Sequence, residues 1–374
     1  MSDLDTTPLT PLHKALGAKM TGFAGYEMPV RYPMGVLQEH LHTRARAGLF
    51  DISHMGQVLI RHEAGFPGVA AGLERLVPAD LLGLGEKRQR YGVLTDETGG
   101  ILDDLMITNR GDHLLLVVNG ACKVADIAHL RAGLPDCEVV PVTDRALLAL
   151  QGPTAAEVLA PIAAGCEIMR FLDTGIFTSD YGELWVSRSG YTGEDGFEIS
   201  VPGAEADRLA RALLADETVA PVGLGARDSL RLEAGLCLYG QDIDRSTSPV
   251  EAGLAWSIGR ARRAGGARPG GFPGADRILE EIGNGVARCR VGLLPEGRAP
   301  MRAGTALYPV PDAETPLGHV TSGAFGPSLG APVSMGYVAA SHAFAGTRLF
   351  GEVRGKRLPV AVVDLPFVPT GYKR

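Results

Sequence analysis

Two adjacent carboxylates, Asp103 and Asp104, sit inside the apolar run Ile101-Leu102-Asp103-Asp104-Leu105-Met106-Ile107. Carboxylates are rarely withdrawn from water without a partner, because desolvating the charge is costly. In a strand, neighbouring side chains point to opposite faces, so these two do not form an acid–base couple on one face. Either one serves a site while the other hydrogen-bonds within the structure, or both do no more than tie down turns. Spacing does not say which.

A second segment, Ser187 to Val201, turns at Gly193-Glu194-Asp195-Gly196. Phe197, Ile199 and Val201 then alternate onto one face, leaving Glu198 and Ser200 on the other. Glu194 and Asp195 read as solvated turn residues, whereas Glu198 is a carboxylate within a short apolar strand. A third segment, Gly223 to Gly240, reads as a helix with Arg227 and Arg231 four apart on one face. Like charges so placed repel slightly. A partner anion relieves that repulsion, and Asp228 and Glu233 are at hand to provide it.

Other patterns carry less. Gly326-Pro327-Ser328-Leu329-Gly330 matches the serine hydrolase pattern, but that mechanism needs a helix directly after the serine. Ala331-Pro332-Val333-Ser334 is a poor helix, so a β-turn is expected. Residues 223–228 begin like a dinucleotide fingerprint but lack its third glycine, and no Gly-rich phosphate loop precedes a Lys-Ser or Lys-Thr, so nucleotide cofactors lack support. The five cysteines are widely spaced and form no C-x-x-C, which fits reduced thiols in a cytosol. His40 and His42 do not share a helix face, and no H-E-x-x-H occurs, so no metal site is expected.

The elements that must position these side chains are mixed. Residues 36–47 and 205–215 read as helices, 56–61 and 146–151 as strands, and 101–108 with 113–119 as a hairpin around Asn109-Arg110-Gly111-Asp112. Gly152-Pro153-Thr154 opens a helix with proline in its first turn. The glycine-rich stretch 264–275 reads as a linker or long loop, and residues 288–368 as short strands of a small β-barrel or sandwich. The predicted organisation is a first region over 1–263, a linker over 264–285 and a barrel over 286–374.

A length of 374 residues suits about two or three domains. The net charge of −7 argues against nucleic acid as a main partner. The cluster Arg260, Arg262, Arg263 and Arg268 reads as a solvated linker. The short acidic N-terminus has neither a signal nor an Arg-rich transit pattern, so a cytoplasmic protein is expected. No apolar run reaches membrane-spanning length.

Taken together, the three segments resemble the aminomethyltransferase family, the T-proteins of the glycine cleavage system. The resemblance is nearly full length. It starts at Thr7-Pro8-Leu9 and takes in Phe23-Ala24-Gly25-Tyr26-Glu27-Met28-Pro29, Phe50-Asp51-Ile52-Ser53-His54-Met55-Gly56 and Gln151-Gly152-Pro153. It continues through Gly318 to Gly323 and ends at Pro366-Phe367-Val368. It implies an α+β fold with three lobes in a cloverleaf around a folate pocket. It implies transfer of the methylene of an aminomethyl group, carried on the dihydrolipoyl arm of H-protein, to tetrahydrofolate with release of ammonia.

By the same resemblance Asp104 matches the reactive aspartate and Glu198 the carboxylate that holds the pterin. Arg227, Asn119, Tyr91, Tyr191 and Met55 match other pocket positions, and Tyr372 lies near the chain end that approaches the folate tail. Some relatives carry a tyrosine where Thr108 stands, and Tyr26 replaces a common tryptophan. Tetrahydrofolate is a co-substrate, and no metal, nucleotide or permanently held lipoyl group is implied. The H-protein docks transiently, and its acidity would suit the arginines near 260–268. A rival of the same fold is a non-catalytic folate-binding protein linked to iron–sulfur assembly. Its Lys-Gly-Cys signature is missing from Gly235-Leu236-Cys237-Leu238-Tyr239-Gly240.

Overall fold

The computed structural model describes residues 4–374. Three bodies surround one cavity: a six-stranded sheet, a five-stranded sheet and a closed barrel. The six-stranded sheet has the order Thr174–Ser179, Gly182–Ser187, Gly196–Pro202, Arg145–Gln151, Ala47–Asp51 and Val219–Pro221. Its last pair is parallel and the others are antiparallel. The five-stranded sheet is antiparallel, in the order Gln89–Thr95, Ile101–Asn109, Leu114–Val118, Gly56–Arg61 and Glu138–Val142. The chain leaves the first sheet after Asp51 and returns to it at Arg145, so the two sheets are interleaved in sequence.

Each body has its own core. Helix Ala206–Leu214 buries Ala206, Leu209, Ala210 and Leu213 against Leu148, Phe197, Ile199 and Val201 of the six-stranded sheet. That is the face its helical spacing predicts. Val58, Ile60, Ile107, Leu116 and Leu130 fill the core beside the five-stranded sheet. Leu293, Met301, Val320, Leu349 and Val362 fill the barrel. Each such side chain contributes roughly 1.5–3 kcal/mol on burial. Barrel closure also leaves its short, Gly- and Pro-broken strands without an open edge. A further cluster, including Phe50, Ile52, Leu147, Val222 and Leu230, is drawn from strands, turn and helix together. No helix among the described residues is long and apolar enough to cross a membrane.

Three local expectations change. The helix after Gly152-Pro153-Thr154 is Ala155–Leu159, so Pro153 precedes its first turn instead of lying in it. The stretch beyond the glycine-rich loop is not a bare tether. Ala275–Asn284 is a helix whose buried Ile278 packs with Ile258 and Phe272. The arginine cluster is not simply a solvated face either. Arg262 is buried and pairs with Glu74 at 3.0 Å, and Arg268 pairs with Glu74 at 3.0 Å and with Asp80 at 2.6 Å. Arg263 donates to the carbonyls of Ile258 and Ala255. Three of these four side chains are thus engaged within the fold, which weakens the case for an acidic partner there.

Candidate active site

A cavity of about 700 Å³ lies where both sheets meet the hairpin Lys19–Phe23/Tyr26–Arg31, helix Leu224–Glu233 and the C-terminal tail. Ligand sites of this kind are concave and largely pre-formed. All eight candidate residues line it: Met55, Tyr91, Asp104, Asn119, Tyr191, Glu198, Arg227 and Tyr372. Asp104 comes from strand Ile101–Asn109 and Tyr91 from its neighbour Gln89–Thr95. Asn119 follows Leu114–Val118, on the other side of the Asp104 strand. Glu198 comes from the other sheet and Arg227 from the helix.

Strand alternation separates the two aspartates as expected. Asp103 is fully buried, while Asp104 is half-buried on the cavity side. They are nevertheless joined by one group. The Asn119 side-chain amide donates to Asp103 Oδ1 and to Asp104 Oδ1, both at 2.8 Å. The Asn119 backbone N–H donates to Asp103 Oδ2 at 3.1 Å. Burial, and then the charge of Asp103, raise the Asp104 carboxyl to about 7, against the hydrogen bonds from Tyr91 and Asn119. A carboxyl so poised exchanges a proton near neutral pH.

Across the cavity, burial raises Glu198 from the ordinary carboxylate range while Arg227 opposes the shift. Ser189 Oγ donates to Glu198 Oε2 at 3.3 Å. The Arg227 guanidinium lies 4.9 Å from the Tyr191 ring centre, and its Nη1 is buried without a hydrogen-bond partner. Such an orphaned donor in a polar cavity points to a ligand acceptor. Helical spacing put Arg227 and Arg231 on one face, but their partners differ. Arg231 takes Asp228 at 2.8 Å and Asp242 at 2.6 Å. Glu233 is used elsewhere, with His40 at 3.0 Å and Arg44 at 3.1 Å. Glu194 and Asp195 also differ from solvated turn residues: they pair with Arg44 and Arg188.

The loop carrying Tyr191 is held from beneath by Gln151. Gln151 Nε2 donates to the Ser189 carbonyl at 2.9 Å, and Thr192 Oγ1 donates to Gln151 Oε1 at 2.8 Å. Gly190, which follows Ser189, has no room for a side chain, since a Cβ there would fall 1.7 Å from Gln151 Oε1. Tyr191 donates its hydroxyl proton to the Cys237 carbonyl. Tyr372 stacks on Phe171 at 4.1 Å, and the Phe171 N–H donates to the Lys373 carbonyl at 2.6 Å, so the chain end forms part of the cavity lining.

Several lining residues carried no signal in the sequence. Trp256 is 64% exposed and packs on Tyr91 at 5.3 Å, and Phe171, Cys237 and His54 also line the cavity. Burial, then Arg227, lowers His54 to about 4, so it stays neutral. Thr108 does not reach the main cavity. It borders a void of about 20 Å³ behind Glu198, beside the unpartnered Gln57 Oε1 and Gln89 Oε1. Tyr26 accepts a hydrogen bond from Lys123 Nζ at 2.5 Å.

Ser328 occupies the turn between strands Gly318–Gly326 and Ala331–Ala339, with no helix after it. Its Oγ lies 2.9 Å from His40 Nε2, but that nitrogen also faces Glu233 at 3.0 Å, and Ser328 lies outside the cavity. The nucleophile elbow that the motif requires is absent at this turn. Among the described residues no group of three or more His, Cys, Asp or Glu is placed to hold a metal ion.

Comparison with known proteins bears on this arrangement. Residues 9–262 match the GCVT N-terminal domain, and residues 288–369 match the glycine cleavage T-protein C-terminal barrel domain. The chain belongs to the glycine cleavage T-protein family. The mitochondrial aminomethyltransferase of Homo sapiens is 45% identical over 99% of this chain and 91% of that protein. The mitochondrial aminomethyltransferase of Dictyostelium discoideum is 42% identical over 100% of this chain and 94% of that protein. The crystal structure of the glycine cleavage aminomethyltransferase T from Bartonella henselae superposes with a TM-score of 0.92 at 45% identity, covering 100% of both chains.

The three-lobed α+β fold with a closed C-terminal barrel is therefore that of the family, and the chain is an aminomethyltransferase. The reading as a non-catalytic folate-binding protein is not favoured, since these relatives are named as transferases. The expected cytoplasmic location is corrected: the human and Dictyostelium relatives are both mitochondrial by name. That expectation rested on the charge pattern of the first few residues, Met1 to Pro8, and on the spacing of the cysteines.

Proposed function

We propose that the cavity transfers the methylene of an aminomethyl group, delivered on the lipoyl arm of an H-protein, to tetrahydrofolate, and that Asp104 is its reactive carboxylate. The observation that carries this reading is the raised carboxyl of Asp104, facing a cavity that also holds Glu198 and the unpartnered Arg227. The volume and lining suit a bicyclic substrate. Glu198 accepts the paired N–H groups of a pterin edge, since a carboxylate takes two parallel donors. Arg227 Nη1 donates to an acceptor on the same ring. Tyr91, Tyr191 and Met55 supply flat and apolar surface against it, and Tyr372 meets the tail.

Asp104 then orients the reacting amine, accepts its proton and stabilises positive charge that develops at the transferred carbon. Asn119 fixes the carboxyl oxygen by a hydrogen bond of 2.8 Å. The test is to combine aminomethylated H-protein with tetrahydrofolate and follow ammonia and methylenetetrahydrofolate. Asp104→Asn should bind folate within a few-fold of wild type and lose about 10²–10⁴ in turnover. Near wild-type turnover in that variant would sink the assignment, and folate binding without product in the wild-type chain would favour the non-catalytic reading.

A further inference from the structure

We propose that Asp126 is a positioning residue for Asp104, acting through Asp103 and the Asn119 side-chain amide. This rests on the reading of Asp104 as the reactive carboxylate. Asp126 stands in the first turn of helix Lys123–Gly133, 3% exposed, with its Oδ2 lacking any hydrogen-bond partner. Its carboxyl meets that of Asp103, which is itself fully buried. Two carboxyls in contact and out of water do not both ionise, so they hold one proton between them.

The neighbouring hydrogen bonds decide where that proton sits. Asp103 accepts two N–H groups from Asn119, at 2.8 and 3.1 Å. Asp126 has an orphaned oxygen. The proton therefore rests on Asp126, which donates it to Asp103, and Asp103 is the anion. Burial, then Asp103, push Asp126 well above the ordinary carboxylate range; burial raises Asp103 as well, but there the bonds from Asp126 and Asn119 oppose it.

An anionic Asp103 has a consequence at the cavity. It requires the NH₂ end of the Asn119 amide, not its carbonyl, to face the pair. One amide hydrogen serves Asp103 and the other reaches Asp104 Oδ1. The charge on Asp103 in turn raises the proton affinity of Asp104. The titratable groups around Asp104 are Asp103 on its own strand, Tyr91 on the adjacent strand, Tyr191 and Cys237 from the loops opposite, and Cys122 and Asp126 from the helix and its entry. Around Asp126 they are Asp103, Asp104, Cys122 and Tyr239. In both sets Asp126 is the group able to supply Asp103 with a proton without drawing on the cavity.

The test compares Asp126→Ala with Asp126→Asn in the full transfer reaction. Asp126→Ala leaves Asp103 to hold the proton itself and frees Asn119 from its orientation. The expected result is a kcat lower by about tenfold and an acid limb of the kcat–pH profile lower by about one pH unit, with KM for tetrahydrofolate within about twofold. Asp126→Asn, whose amide N–H replaces the acid O–H toward Asp103, should restore both. A wild-type profile in Asp126→Ala, or equal impairment in the two variants, overturns the proposal. Should Asp126→Ala not fold, the infrared difference between wild type and Asp126→Asn at pH 7 decides: a protonated carboxyl C=O band in the wild type supports it, and a carboxylate band overturns it. The Asp104→Asn assay keeps the two readings apart. Turnover retained there defeats the role of Asp104, whereas turnover lost there with an unshifted Asp126→Ala profile defeats only that of Asp126.

Discussion

Glu198 and Arg227 oppose each other's burial shifts inside the same cavity, yet Arg227 Nη1 is left without a hydrogen-bond partner. Opposite charges kept near each other without closing into a bidentate pair are ready for a ligand that bridges them. The desolvation cost is met when the fold forms, not when the ligand binds.

Folate binding should therefore depend on both. Glu198→Gln and Arg227→Met are each expected to weaken tetrahydrofolate binding by about ten- to a hundredfold, the loss of one or two charge-assisted hydrogen bonds. The double variant should lose less than the product of the two, because both contacts serve one ring. Calorimetric titration of the three variants measures this, and strict additivity would argue against coupling between the two contacts.

Asp104 should carry a stability cost that grows with pH. Its carboxyl is raised from 3.8 to about 7 in the folded chain, so between those values the folded state binds more protons than the unfolded state. Stability is then fully present below about pH 4 and is lost as pH rises toward and through about 7. Asp104→Asn removes that loss. At pH 8 it should be more stable than wild type by about 1–3 kcal/mol, below the full conversion of roughly 1.4 kcal/mol per pKa unit because the cavity is solvated. Urea unfolding at pH 4 and pH 8 reads the difference, which should be small at the lower pH.

The contact between the barrel and helix Val36–Ala45 should show the opposite sign. Burial favours the neutral form of Glu233, but hydrogen bonds from His40 and Ser328 hold its carboxyl down at about 2 against an ordinary 4.5. Its contribution is present above about pH 4.5 and is lost as pH falls toward 2. Arg44 also pairs with it, at 3.1 Å, and the Ser328 N–H from the barrel turn donates to it at 2.8 Å. Glu233→Gln should cost about 2–4 kcal/mol at pH 7 and make the acid loss of stability shallower between pH 5 and 3. Differential scanning calorimetry across that range checks both effects, and an unchanged acid limb would exclude Glu233 as its source.

Much of the frame was legible in the sequence. Helix Ala206–Leu214, strand Arg145–Gln151 and the Ile101–Asn109/Leu114–Val118 hairpin follow from periodicity and turn residues acting over a few positions. The alternation that put Phe197, Ile199 and Val201 in a core and Glu198 opposite them was equally local. Partner choice was not. Glu233 looked available to Arg231, and Arg262 and Arg268 looked solvated. Arg231 keeps its helix neighbour Asp228 as expected, but Asp242 takes the place open to Glu233, and Glu74, distant in sequence, holds the two others.

By itself the sequence determined that a carboxylate must leave water within strand Ile101–Asn109, and that the two aspartates must face apart, because a strand repeats every two residues. It also carried the resemblance that distinguished Asp104. Only the tertiary structure decided how the two communicate. Asn119 comes from the next strand's end and Asp126 from the helix beyond it, and their distances to the pair depend on sheet register and helix packing. Those long-range contacts set burial and neighbouring charge, and burial and charge set where each proton sits.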